Sequence, residues 1–242
     1  MMKQSLVLSV ALTCVLTGSA ISADMPTKSP VYRPEAFSWN GFYVGAVAGA
    51  GIVTPQFNDK TDQFVDGVWQ AGNWAFTGGG TVGYNWQSGY AVFGVEADFN
   101  WTSFDRSLTN IDRGSQFDAK WNWYSTVRGR FGLALDRTLV YATAGVAIVD
   151  LDNQVFRSDH CGRTSDDLCA KLSKTEVGLA LGTGVEYAFA GNWSFKAEYL
   201  FIKLPTKDLR PSDPEDRTST FQYTNDAHFA RVGLNYRFGA TR

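Results

Sequence analysis

Side chains of two kinds alternate along this chain, and that alternation constrains its fold more than any other feature. Between residues 176 and 189, every second residue is apolar or threonine, and the series ends on Tyr187 and Phe189. The residues between them are glycine, alanine or glutamate, such as Gly184 and Glu186. Because successive side chains of a strand point to opposite sides, this segment predicts a β-strand with one apolar face and one small or charged face.

The same alternation recurs in segments 90–101 and 121–135, and its details separate two all-β architectures. In a soluble sandwich the polar face meets water, where glycine and alanine have no advantage. Here they share a face with glutamate and arginine, as expected for a narrow, crowded interior. Aromatic residues gather near the ends of the apolar faces, for example Trp121 and Trp123, as they do at membrane interfaces. The pattern therefore predicts a barrel that crosses a membrane.

Eight such segments can be placed, and the connections between them alternate in length. The predicted strands are 38–53, 73–87, 90–105, 120–135, 138–152, 174–190, 192–204 and 224–238. Three connections are tight turns, whereas 54–72, 106–119, 153–173 and 205–223 are long and polar. All seven prolines fall outside the predicted strands, as a closed hydrogen-bonded ladder requires. We expect an all-β fold: an eight-stranded antiparallel transmembrane β-barrel with short periplasmic turns and long extracellular loops.

The start of the chain predicts export. Residues 1–23 combine Lys3, a short apolar run and small residues before a plausible cleavage site, as a secretory signal peptide for the Sec pathway does. Residues 24–36 carry three prolines and predict a short periplasmic leader, so the barrel domain is 37–242. Removing Lys3 leaves 21 basic against 24 acidic residues, a net charge of −3 that argues against a nucleic-acid partner.

Two segments resemble a known protein family. Residues 37–45, FSWNGFYVG, and residues 231–238, RVGLNYRF, are similar to the OmpA-like or opacity-like outer-membrane barrels of α-proteobacteria, which include porin-family and hemin-binding surface proteins. Members of that family usually end on the final aromatic residue, whereas four residues follow Phe238 here. The resemblance implies a place in the outer membrane of a Gram-negative bacterium, among outer-membrane lipid and lipopolysaccharide. It also implies the barrel-assembly machinery as a partner during biogenesis.

Ten charged residues, five acidic and five basic, lie at the alternate strand positions that are predicted to face inward (the inward parity). They could line an ion path or form a network of ion pairs that fills the lumen. An eight-stranded barrel is just wide enough for side chains to fill it, and buried charges need partners, so a network is favoured. The predicted members are Glu96, Asp98, Glu176, Glu186 and Glu198 with Arg128, Arg130, Lys196, Arg231 and Arg237.

The third long connection contains the sequence HCGRTSDDLC, with His160, Cys161 and Cys169. These residues could bind metal, act as a redox pair or form a disulfide. Structural zinc needs four ligands at spacings such as C-x-x-C, and no second cysteine pair supplies them. Because the exported chain enters an oxidising compartment, we expect a Cys161–Cys169 disulfide and no metal site.

Two histidines are the main candidates for further chemistry. His228 lies on the apolar parity near the extracellular rim, close in sequence to Ser219 and Asp226, which would suit a lipid-modifying enzyme. The alternative is an ordinary interface histidine. His160 and His228 are also weak candidate ligands for hemin, through the family label alone. We expect no enzymatic activity and no cofactor, with hemin kept as an alternative.

The function that these features favour is structural. We expect a surface-exposed outer-membrane barrel that supports envelope integrity and contacts the host or the environment through its loops. The alternative is a hemin-binding or narrow-pore, porin-like protein. "Porin" would then be a family label, since a wide, water-filled channel needs roughly 16 strands.

Overall fold

The computed structural model describes residues 37–59, 68–70, 72–110, 115–157, 169–209 and 221–239. All of them belong to one compact unit, Glu35–Arg242. The predicted signal peptide (1–23) and leader (24–36) lie outside the described residues and stay predictions. Within the described ranges, no helix is long and apolar enough to cross a membrane.

Eight long strands form a closed antiparallel ring, which confirms the predicted fold. Each long strand pairs with the next along the chain, and the last pairs with the first from Tyr43↔Arg237 to Asp59↔Phe221. Three short strands extend the ladder at the end of the barrel that bears the long connections, the loop end, and pair with the first, fourth and eighth long strands. The long strands are β1 Gly41–Asp59, β3 Asn73–Ser88, β4 Ala91–Thr102, β6 Ser115–Leu135, β7 Thr138–Arg157, β8 Cys169–Ala190, β9 Trp193–Lys203 and β11 Phe221–Arg237. The short strands are β2 Val68–Gln70, β5 Asp105–Asn110 and β10 Lys207–Leu209.

The outer wall of the ring is an apolar band between two rows of exposed aromatic side chains. Such a band, with an aromatic girdle at each interface, is the outer face of a barrel that crosses a bilayer. The loop-end row includes Trp74, Phe76, Phe99, Trp101 and Tyr199. The other row lies at the end of the barrel with the three tight turns, the turn end. It includes Phe42, Tyr84, Trp86, Phe93, Phe131, Tyr187, Phe189, Trp193, Phe195 and Phe238.

Several strands continue beyond their predicted ends. The strand β7 runs to Arg157, five residues past the predicted end, and β8 begins at Cys169, five residues early. Above the membrane these ladders are bordered by water, so the apolar positions that marked the strands in the sequence are no longer required. Backbone pairing continues without that signal.

A β-bulge corrects the prediction for Trp121. The register between β6 and β7 shifts between Trp121 and Trp123. One extra residue in β6 reverses the face of the sheet on which every residue N-terminal to it in that strand lies. Trp121 is therefore fully buried inside the barrel, not on the lipid face where strict alternation placed it.

Pro55 is a second correction, because it lies inside β1. The pairing of β1 with β3 ends at Val53, and its pairing with β2 begins at Gln56. At Pro55 the strand has only β11 as a ladder partner. A residue without an N–H group is tolerated there, as on an edge strand.

The interior consists of three layers along the barrel axis. A buried apolar cluster fills the loop end, and a smaller one fills the turn end. Between them lies a layer of buried charged side chains. The loop-end cluster includes Phe104, Trp121, Tyr124, Leu200, Ile202 and Phe229. The turn-end cluster is Trp39, Val92, Ala134, Leu139, Tyr141 and Ala188, with Phe37 packed against it.

Candidate functional site: the charged interior of the barrel

Eight charged side chains, four acidic and four basic, form the middle layer. They alternate along their strands, so all of them point inward, and each is at most 4% exposed. The strand register makes several of them direct cross-strand neighbours, including Glu96↔Arg128 and Glu198↔Arg231. The members are Glu96 and Asp98 on β4, Arg128 and Arg130 on β6, Glu186 on β8, Lys196 and Glu198 on β9, and Arg231 on β11.

Arg128 is the centre of this layer. Its Nη2 donates to Glu96 Oε1 at 2.6 Å and to Asp98 Oδ2 at 2.8 Å. Its Nη1 donates to Glu198 Oε1 at 3.0 Å and to Thr143 Oγ1 at 2.9 Å. One guanidinium therefore joins three carboxylates that come from two strands on different sides of the ring. A planar group with five donors suits such a position, because a lysine ammonium offers only a point charge.

Two further cations share those carboxylates. Arg231 Nη2 donates to Glu198 Oε1 and lies 3.5 Å from Asp98 Oδ2. Lys196 Nζ donates to Glu96 Oε2 at 3.0 Å. Each carboxylate bound by Arg128 thus has a second cationic partner.

Arg130 forms the turn-side part of the layer. Its Nη2 donates to Glu186 Oε2 at 2.5 Å, and its guanidinium lies 3.8 Å from the centre of the Tyr141 ring. Two tyrosines link this part to the rest: Tyr43 Oη donates to Glu96 Oε2 at 2.8 Å, and Tyr141 Oη donates to Glu198 Oε2 at 3.0 Å.

All eight carboxylate oxygens of the layer accept a hydrogen bond. The two that remain are Glu186 Oε1, which accepts from Ser194 and Asn235, and Asp98 Oδ1, which accepts from Asn100. The layer is therefore balanced in charge and satisfied at its acceptors. Buried ions meet these conditions when they are held as a fixed network.

The glycines on the inward face make room for this network. A Cβ atom on Gly83 would lie 2.4 Å from the Tyr43 ring, and one on Gly184 would lie 2.7 Å from Tyr141 Oη. Both tyrosines carry hydrogen bonds of the layer. The sharing of one face by glycine and charge, visible in the sequence, is thus a packing requirement.

The turn end is closed by residues that local sequence patterns do not identify. Trp39 is 1% exposed; its Nε1 donates to the carbonyl of Asp136 at 3.2 Å, and its backbone N–H donates to Gln87 Oε1 at 2.6 Å. The predicted strand began at 38, but β1 begins at Gly41, whose φ of +123° turns the preceding residues beneath the barrel. Arg237 lies 4.4 Å from the Phe37 ring centre, next to Trp39 and outside the charged layer.

Glu176 is a correction to the predicted network. Its parity is inward, but it lies ten residues from Glu186 along β8, at the loop end of the barrel. There its carboxylate pairs with Lys207 at 3.5 Å, and Lys207 is half exposed. Parity determines the side that a residue faces but leaves its height in the barrel open.

His228 lies on the outer wall. Its Nδ1 is 2.6 Å from Tyr199 Oη, and its ring lies 4.8 Å from the Phe201 ring. Ser219, the nucleophile of the enzyme hypothesis, lies outside the described residues. Asp226 faces the same side as His228, and its carboxylate makes no hydrogen bond to that ring among the described contacts.

The predicted disulfide cannot be placed, because Cys161 and His160 lie outside the described residues. Cys169 begins β8, opposite Phe156 on β7. The pairing stays a prediction, as does the weak hemin role of His160. Among the described residues, no three His, Cys, Asp or Glu side chains are grouped to hold a metal ion.

Comparison with known proteins gives matches over nearly the whole chain. The family model of the outer membrane protein beta-barrel domain matches residues 11–238. The 31 kDa outer-membrane immunogenic protein of Brucella melitensis is 33% identical over 253 residues, covering 98% of this chain and 100% of that protein. The 22 kDa outer membrane protein of Rhizobium leguminosarum is 32% identical over 84% of this chain and 80% of its own length. Among solved structures, OprG from Pseudomonas aeruginosa matches with a TM-score of 0.49 at 12% identity, covering 82% and 97% of the two chains.

Proposed function

The chain belongs to the outer membrane protein β-barrel family, and from that premise we propose that it is a closed structural barrel that supports the envelope and presents its loops to the surroundings. The predicted family and outer-membrane location are confirmed by the family match and by relatives in Brucella and Rhizobium. That location places the apolar outer band in lipid, and it implies assembly by the general barrel-assembly machinery.

The filled interior supports the structural part of this proposal. The charged layer is balanced, and its carboxylate oxygens are all bonded within the barrel. Apolar clusters cover it at both ends, with Trp121 and Phe104 fully buried on one side and Trp39 on the other. A path for ions would need these side chains to move apart and be replaced by water. The arrangement favours rigidity over transport.

The relatives support the surface part of the proposal. Several Brucella relatives are named outer-membrane immunogenic proteins, and we take that name as support for surface exposure of this chain. The short strands β2, β5 and β10 continue the ladder past the aromatic row at the loop end. These paired strands form a hydrogen-bonded rim from which the connections begin.

Planar-bilayer recording of the refolded full chain tests the structural part. We expect no steady single-channel steps, because the interior is filled. Stable steps in the unmodified protein would contradict the proposal and favour the narrow-pore alternative.

Complementation of a deletion strain tests the two roles separately. We expect the full chain to restore resistance to detergent, and a variant lacking residues 158–168 to restore it equally while binding less to host cells. A matched variant, Arg128→Ala, should fail to restore resistance because it removes the centre of the charged layer. Equal host binding by the shortened and full chains would contradict a role for that connection. An unchanged envelope after deletion would contradict the structural role.

A further inference from the structure

Two adjoining shallow depressions form a groove across the lipid-facing wall of the barrel, from β3 and β4 to β9 and β11. Its turn-side part has a volume of about 680 Å³, and its loop-side part has a volume of about 360 Å³. The two parts adjoin at Leu181 and Gly182, which line both of them. The groove extends from the turn-end aromatic row, at Phe93 and Phe131, to Tyr199 and His228 near the loop end.

The shape of the groove suits a linear apolar group. Its turn-side floor contains Ala142 and Ala144, and its walls are the side chains of Trp86, Phe93 and Phe131. Because this surface lies within the apolar band, the molecules available to fill it are acyl chains. A chain lying in the depression would gain contacts with aromatic walls that it cannot make on a flat part of the barrel.

The loop-side end of the groove is polar. Tyr199 Oη and His228 Nδ1 are joined at 2.6 Å, which leaves Nε2 of the histidine for a second partner. Lys203 follows Phe201 on the same side of β9, one row nearer the loops, and it is exposed. It makes no ion pair with any described residue, including Asp226 across the ladder. An unpaired cation at the head of an apolar groove complements a lipid whose headgroup is negative.

We propose that this groove is a binding site for an anionic lipid of the outer leaflet. One acyl chain lies along the groove past Leu181, and a headgroup phosphate lies beside Lys203 within reach of His228. The site is on the outer wall, so it goes beyond the proposed structural role and does not depend on the filled interior.

The headgroup is tested by native mass spectrometry of the refolded full chain, with bisphosphorylated lipid A and with the same lipid A stripped of phosphate as probes. We expect Lys203→Gln to weaken retention of the bisphosphorylated lipid by about fivefold, the effect of one cation near a charged headgroup. Retention of the stripped lipid should not change. Lys120→Gln is the matched control, since Lys120 is exposed and pairs with Asp105. Equal retention of bisphosphorylated lipid A by Lys203→Gln and Lys120→Gln would overturn the headgroup contact.

The acyl contact is tested by filling the groove. Ala144→Trp, or Thr183→Trp if the first variant does not fold, should reduce retention of both lipids. Ala48→Trp is the control, because Ala48 faces outward on β1, away from the groove. Folding of each variant is checked by gel mobility, because a folded barrel migrates faster before boiling than after it. If Ala144→Trp and Thr183→Trp retain both lipids as well as Ala48→Trp does, the groove is not the binding site.

Discussion

Replacing Arg128 with alanine should destabilise the barrel more than any change of an exposed charge. The side chain is fully buried and donates to Glu96, Asp98 and Glu198 at 2.6 to 3.0 Å. Removing one partner of a buried ion pair typically costs about 3–5 kcal/mol, because it leaves an uncompensated charge. Lys120→Ala is the control: its pair with Asp105 spans 3.6 Å between side chains that are 50% and 68% exposed. Such a pair contributes about 0–1 kcal/mol.

A second substitution, Asp98→Asn, should change the sign of its effect when Arg128 is absent. In the unmodified barrel, Asp98→Asn should destabilise, since it removes the negative charge that Arg128 and Arg231 share. In the Arg128→Ala background it should stabilise, since it returns the layer to three acids and three bases. Each remaining charge then has one direct partner. These pairs are Glu96–Lys196, Glu198–Arg231 and Glu186–Arg130.

The assay is urea unfolding of the protein refolded in lipid vesicles, followed by tryptophan fluorescence and by gel mobility without boiling. The four proteins of the double-mutant cycle are compared at one pH and one salt concentration. Equal destabilisation by Asp98→Asn in both backgrounds would contradict a charge-balanced network. So would an Arg128→Ala variant that loses no more stability than Lys120→Ala.

Three further predictions concern packing and covalent structure. Trp39→Ala should lower the free energy of unfolding by about 3–5 kcal/mol, measured in urea, whereas alanine at an exposed tryptophan of the lipid face should cost far less. Gly79→Ala should destabilise the barrel by about 1–3 kcal/mol, because its Cβ would lie 1.9 Å from the carbonyl oxygen of Phe99. Gly80→Ala should leave the stability unchanged, because the nearest atom would lie 3.8 Å away. Mass spectrometry under non-reducing conditions should find Cys161 and Cys169 linked, and free thiols would contradict the predicted disulfide.

Much of the barrel could be predicted from local patterns. Alternation along β8 places Glu186 inside and Tyr187 outside, because a strand repeats every two residues whatever surrounds it. The same rule put all ten predicted network residues on the inward face, and eight of them meet in the charged layer. Alternate long and short connections identified the loop end and the turn end. These features depend only on neighbours in the sequence, so the sequence contains them.

Local patterns failed where the backbone departs from regular alternation. The bulge before Trp123 turns Trp121 inward, and nothing in the sequence around it marks the extra residue. The turn at Gly41 brings Trp39 beneath the lumen, although its sequence continues smoothly into β1. In both cases a large aromatic side chain fills a space that exists only once the ring has closed.

Local sequence patterns are enough to predict a membrane barrel with a charged, glycine-lined interior. Which of those charges meet depends on the folded ring. Arg128 and Glu198 are 70 positions apart and bond because the ring brings their strands to the same height, whereas Glu176 faces the same interior and pairs elsewhere. Parity is a property of one strand, but height depends on the register of every strand between two residues. The offsets between neighbouring strands add up around the closed ring, so the height of each residue depends on the whole structure.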